Sequence, residues 1–320
     1  MNGEVSAQSR LKMGTARLSV VSNTLLVIIK LLAGIFMGSV SVISEALHSG
    51  VDLVAAVAAF FSVRVSGQPA DVRHPFGHGK FESLAGMLEG ALIVVAAFWI
   101  LYASVLKIST GAIEVTAPLL GVAVMAFSSL VNLVVSSRLF RVGRETDSIA
   151  LQADAWHLRT DVYTTTGVLA AMLGIALGRL LHLPRIELLD PLAAIAVALV
   201  IIQAGVSITR ESLHHLADEA LPSAERQAVE RLLQEHYADF LGYHELRTRK
   251  AGPDRHIDLH LSVPPNMPVG DAHALCDHLE TDLQRIAPGA HVLIHVEPED
   301  VSHPTPPGSP PPRRSPRRSS

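Results

Sequence analysis

The chain has a single cysteine, Cys276, in 320 residues. No disulfide can form within it, and a lone thiol is compatible with a reducing compartment. Charge is also scarce. Asp, Glu, Lys and Arg make up 18% of the residues, where a soluble domain carries about 25%. The formal net charge of −4 gives no basic excess, so nothing points to nucleic acid. No phosphate-cradling glycine loop ending in Lys and Ser or Thr occurs, and ATP-driven pumping therefore has no support in this chain. Met1 to Met13 is polar, without a short apolar region that ends in a small-residue cleavage site, which argues against a secretory signal.

What is abundant is apolar surface: 49% of residues are hydrophobic, and they are clustered. A membrane-crossing helix needs roughly 20 mostly apolar residues. Six stretches meet that length, approximately Arg17 to Met37, Val40 to Val63, Leu84 to Ile108, Ala117 to Phe140, Ile149 to Leu177 and Leu188 to Ile208. Basic residues in the short loops set the orientation. Arg10, Lys12 and Arg17 precede the first span, Arg64, Arg73 and Lys80 follow the second, and Arg138, Arg141 and Arg144 follow the fourth. The loop Ser109 to Thr116 has no Lys or Arg, and the loop after the fifth span is mixed, with Arg179 and Arg185. This bias predicts both termini in the cytoplasm.

After Leu221 the composition changes. Ser223 is expected to cap a helix from Ala224 to about Tyr237. Glu245 to Arg249 and Ile257 to Val263 alternate like strands. A helix from Val269 to Ile286 is broken by Pro288-Gly289, and His291 to Val296 reads as a third strand. Beyond Val301 the chain is Pro, Ser and Arg and is expected to be disordered, with Arg313, Arg314, Arg317 and Arg318 solvated or near anionic lipid. The expected fold is thus a membrane domain of six transmembrane helices plus a small α+β domain of order αββαβ, ferredoxin-like or metallochaperone-like. Residues 1–14 form a polar N-terminal segment, 15–212 the six-helix domain, 213–300 the small domain and 301–320 the tail.

Sixteen histidines are many, and several stand beside carboxylates. The second span reads Glu45-Ala-Leu-His48-Ser-Gly-Val-Asp52, and the fifth reads Asp154-Ala-Trp-His157-Leu-Arg-Thr-Asp161. Residues four apart share one face of a helix. Two facing helices with such pairs bring two imidazoles and two carboxylates together, an N/O set that suits tetrahedral Zn²⁺. One His-x-x-x-Asp is weak, since a polar pair satisfied within a helical bundle explains it. Two copies in two spans are stronger, because ionisable groups in a membrane are costly and functional by default. Glu45 and Asp154, one turn away, fit a supporting role as well as a direct one. Arg159 lies off the ligand face and reads as snorkelling or charge compensation. In the loop after the second span, Asp71-x-x-His74-x-x-x-His78 either binds one metal or is a Gly-rich turn with incidental histidines.

These residues resemble the cation diffusion facilitator family of metal/proton antiporters, over about Ala16 to Pro298. The resemblance implies that His48, Asp52, His157 and Asp161 form the transport site, similar to that of zinc transporters, which makes zinc the leading cargo and leaves cobalt, cadmium or ferrous iron open as the alternative. It implies a peripheral site at Asp71, His74 and His78, and a charge interlock of Lys80, for which Asp218 is a partner. It places His244, His260, His273, His295 and Glu297 at a two-zinc site, where the family usually has Asp in the position of Glu297. His256, His278 and His291 match no motif and read as surface histidines, and Cys276 as a packed thiol. A homodimer is implied by the resemblance alone. Alternating access, with metal leaving as protons enter, is the expected mechanism, and a bacterial inner membrane the expected location. Two other classes compete. One is a membrane sensor that binds metal without moving it. The other is an intramembrane hydrolase with Glu45 or Asp154 as base, for which a four-ligand site leaves no metal-bound water.

Overall fold

Inside hydrocarbon every backbone N–H and C=O must be satisfied within its own segment, which a lone apolar run achieves only as a helix. The computed structural model of the chain describes residues 2–37, 40–110, 119–181, 186–236 and 239–298. Its first compact unit, Met1–Leu216, has six long helices among the described residues: α1 (Asn2–Met37), α2 (Val40–Ser66), α3 (Lys80–Thr110), α4 (Leu119–Glu145), α5 (Ile149–Leu180) and α6 (Leu189–Leu216). Among the described residues, α1, α2, α3, α4 and α6 are long and apolar enough to cross a membrane. The sixth, α5, carries Asp154, His157, Arg159 and Asp161. The tail, the loop between α3 and α4 and Arg185 lie outside the described residues, as do the side chains of Glu45, His48 and Arg179.

The helices pair by close approach of small residues. α3 lies along α6, α1 along α2 and α4 along α5. A Cβ added at Gly90 of α3 would stand 2.5 Å from Thr209 Oγ1 of α6 and 2.9 Å from its backbone N, so glycine is what lets the two backbones meet. Ala16, Val63, Ala85, Leu139, Leu151 and Leu158 form one buried cluster, and Ile93, Ala97, Ala153 and Ile201 another. Large apolar side chains such as Val54, Val95, Trp99 and Leu173 face outward, as expected where lipid is the solvent.

Polar residues lock the helix ends. Glu82, fully buried near the start of α3, takes hydrogen bonds from Lys12 Nζ at 3.0 Å, Ser66 Oγ at 2.7 Å and Ser148 Oγ. One carboxylate thus ties the starts of α1 and α3 to the end of α2 and the entry to α5. The polar residues from Asn2 onward belong to α1, and Lys12 among them has a buried partner.

The second unit, Ala217–Ser320, contains α7 (Ser223–Glu235), β1 (Gly242–Ala251), β2 (Asp254–Val263), α8 (Val269–Ile286) and β3 (Ala290–Pro298). The sheet order is β1-β2-β3, with β1 antiparallel and β3 parallel to β2. Gly252 at φ 64° makes the tight turn between β1 and β2. Leu233, Ile257, Leu259, Leu261, Leu279 and Leu283 are fully or almost fully buried between helices and sheet. The αββαβ order is as expected. Ser223 does not cap α7: Pro222 holds the N-cap, with no side-chain cap bond. Proline's fixed φ and missing N–H suit it to the start of a helix, which leaves Ser223 inside.

Candidate metal centre

Asp52 lies on α2 and His157 and Asp161 on α5, and ligand atoms of the three lie within 4.8 Å of one another. His157 Nε2 is 3.0 Å from Asp52 Oδ1, with side chains 12% and 6% exposed. A pair this close brings together residues 105 positions apart, which the spacing within each helix could not ensure. His48 stands one turn before Asp52 in α2, its side chain outside the described residues. Asn132 of α4 donates from Nδ2 to Asp161 Oδ2 at 3.4 Å. In the sequence Asn132 is one amide in a mostly apolar run, with no motif to mark it.

Two further buried carboxylates border this centre. Asp154, one turn before His157, is hydrogen-bonded by Ser19 of α1, and its Oδ2 has no hydrogen-bond partner among the described residues. Glu89 of α3 is buried with neither oxygen hydrogen-bonded among those residues, within electrostatic range of Asp154 and His157. Glu89 belongs to no motif in the sequence, although an ionisable residue in the apolar run of α3 is the kind of signal that marks function. Arg159 points elsewhere, donating to Ser137 at 3.1 Å and lying 5.5 Å over the Phe140 ring.

In the loop between α2 and α3, Asp71, His74 and His78 also converge within 4.8 Å. Asp71 Oδ1 accepts from the backbone N–H of His74 at 2.6 Å and of Arg73 at 2.7 Å. The His74 bond holds its carboxyl below the usual range. His78 is buried against Phe81, and its Nε2 is 3.4 Å from Asp71 Oδ2. Gly77 at φ 83° shapes the turn between the histidines. Lys80 Nζ is 3.4 Å from the Leu216 carbonyl oxygen, while Asp218 of the second unit accepts from Arg249 at 3.0 Å.

On the sheet, His244 of β1, His260 of β2 and His295 of β3 occupy one row of the register. Glu297 is two residues beyond His295 on the same face. Its Oε1 is 3.2 Å from His244 Nε2 and its Oε2 3.5 Å from His260 Nδ1, so the longer side chain of Glu reaches both imidazoles. A bulge between His244 and Arg247, with Glu245 at φ 49°, breaks the register beside them, which re-aims side chains at a site. The His295 ring is 4.7 Å from that of His260. His273 stands apart, largely exposed on α8 with Asp277 at 3.7 Å. It shares a groove with Cys276, Val296 and Glu297, so the cysteine faces the same space as His273. Burial pushes the Cys276 thiol above its usual value, as in a packed side chain.

One surface reading changes. His256 is buried and stacked on His291, ring centroids 5.0 Å apart, because β2 is the central strand. His278 is exposed, yet its Nε2 lies 3.5 Å from a buried carboxylate of Asp282.

A family model described as the cation efflux transmembrane domain matches residues 16–217, and one described as the cytoplasmic domain of cation efflux proteins matches 221–299. The chain is 37% identical to an uncharacterized transporter, sll1263, of Synechocystis over 84% of this chain and 85% of that one. It is 34% identical to the cation-efflux pump FieF of Cronobacter sakazakii, over 87% and 90%. A solved structure of CzrB is 43% identical over 25% of this chain and 100% of its own, at a TM-score of 0.25.

Proposed function

The chain belongs to the cation efflux family, the cation diffusion facilitators, and from that premise we propose that it exports Zn²⁺ from the cytoplasm in exchange for protons. Like the family, it is a multi-pass membrane transporter of divalent metal cations and not an enzyme. The reading of the cargo site rests on one observation: Asp52, His157 and Asp161, from two helices, converge inside the helical unit. With His48 they make a two-nitrogen, two-oxygen set. Zn²⁺ has no ligand-field preference and accepts such a set in a tetrahedron.

The same donors bind protons. A metal needs neutral imidazole and ionised carboxylate, so metal and proton exclude each other, and histidine titrates near physiological pH. Metal enters while the site faces the cytoplasm. When the helices rock and the site faces the more acidic side, protons displace the metal and return with it empty. Glu45 and Asp154 steady the ligands, and Asn132 orients Asp161.

Within this proposal residues 15–212 are the transport domain, and residues 213–300 a metal-binding domain through which two chains pair. Asp71, His74 and His78 hold metal in the loop after α2. His244, His260, His273, His295 and Glu297 bind regulatory zinc. The protein sits in a bacterial inner membrane with both termini in the cytoplasm. The decisive measurement is Zn²⁺ flux coupled to proton flux in proteoliposomes. Full wild-type flux in Asp161→Ala or Asp52→Ala would sink the site, and Zn²⁺ flux that moves no protons would sink the exchange.

A further inference from the structure

We propose that His236, His278 and Asp282 form a further divalent-metal site, between the end of α7 and α8. It shares no residue with the transport helices or with the His244, His260 and Glu297 group. Its three ligand atoms lie within 4.8 Å of one another.

Local geometry builds the site from two directions. His278 and Asp282 are four apart on α8, hence on one face. The spacing is again His-x-x-x-Asp, as on α2 and α5. His236 directly follows α7, as its C-cap, where the helix dipole favours a cation. His236 Nδ1 is 3.0 Å from the Leu232 carbonyl oxygen. A carbonyl accepts only, so Nδ1 carries the hydrogen and the neutral ring keeps its lone pair on Nε2. That Nε2 faces Asp282 Oδ2 at 3.2 Å, and His278 Nε2 reaches the same oxygen at 3.5 Å. Two imidazole nitrogens thus converge on one carboxylate oxygen, and a cation between them satisfies all three. A backbone carbonyl that fixes the ring tautomer is the usual support of a metal-bound histidine.

Asp282 is held for this task. Its Oδ1 accepts from Arg285 at 2.6 Å, which leaves Oδ2 aimed at the histidines. The Asp282 side chain is 11% exposed and that of His278 70%, so the floor is buried and the mouth open to solvent. Two nitrogens and one oxygen with room for water suit Zn²⁺ and similar ions. Arg285 shares the carboxylate, which makes the site exchangeable rather than tight. An ion there ties α7 to α8.

The test is equilibrium dialysis of the full-length protein in detergent against Zn²⁺ alone, with bound metal counted per chain. His278→Gln, at an exposed position, is expected to fold normally by circular dichroism and to bind one Zn²⁺ fewer per chain. Asp282→Asn is expected to lose the same ion. An unchanged count in His278→Gln overturns the site whatever Asp282→Asn does, because a loss confined to Asp282→Asn reports only the broken Arg285 pair. Either result leaves the transport reading standing, since no ligand is shared.

Discussion

Asn132 illustrates what a single side chain contributes to the intramembrane centre. Its amide donates to Asp161 Oδ2, so Asn132→Leu keeps the shape but removes that bond. Supporting hydrogen bonds of this kind are worth about 10–100-fold in metal affinity. The half-saturating Zn²⁺ concentration for proteoliposome flux is expected to rise by about tenfold. Glu82 works differently, through stability. It is a buried carboxylate with a buried ammonium partner, and removing one member of such a pair costs about 3–5 kcal/mol. Glu82→Ala is therefore expected to lower the thermal midpoint in detergent, while Glu82→Asp gives part of it back. His256 adds a pH dependence. Burial in the central strand holds its imidazole below the ordinary value, ahead of the repulsion from Arg249. The unfolded chain then binds the proton more readily than the folded one. The His256 contribution to the stability of the second unit is full above about pH 6.5 and is lost as pH drops below that value. His256→Leu is expected to flatten thermal midpoints between pH 7 and pH 5, and equal slopes in both proteins would count against this account.

For the elements, the question is why six helices hold together when lipid is as apolar as their side chains. Close backbone contact supplies part of the answer. Gly90 and Gly205 meet across α3 and α6: a Cβ on Gly205 would stand 3.0 Å from the Gly90 carbonyl oxygen. Gly90→Val is expected to force the helices apart and lower both thermal midpoint and flux, while Gly14→Ala, where nothing stands within 4 Å, changes neither. Element type and order were legible in the sequence, because apolar run length and alternation report helix and strand directly. Ends were less so. α1 begins at Asn2, well before the apolar run, since its polar start is stabilised by the distant Glu82 and not by its own composition.

For the whole molecule, the second unit adds regulation to transport in the proposed function. If zinc on the His244, His260 and Glu297 group draws two chains together, Glu297→Ala is expected to leave flux intact at high Zn²⁺ while shifting its dependence on cytoplasmic Zn²⁺ to higher concentration. An identical concentration dependence in wild type and Glu297→Ala would remove the sensor role.

By itself the sequence determined the spans, the small αββαβ unit and the two His-x-x-x-Asp faces, because residues four apart on a helix are neighbours whatever the helix packs against. The tertiary structure alone decided that Asp52 meets His157, that Asn132 and Glu89 from other helices border them, and that His236 at the end of α7 completes a pair on α8. Contacts between elements depend on which faces pack and at what register. No local periodicity carries that information, so neither the place of Glu89 beside the centre nor a role for the exposed His278 is legible in the sequence.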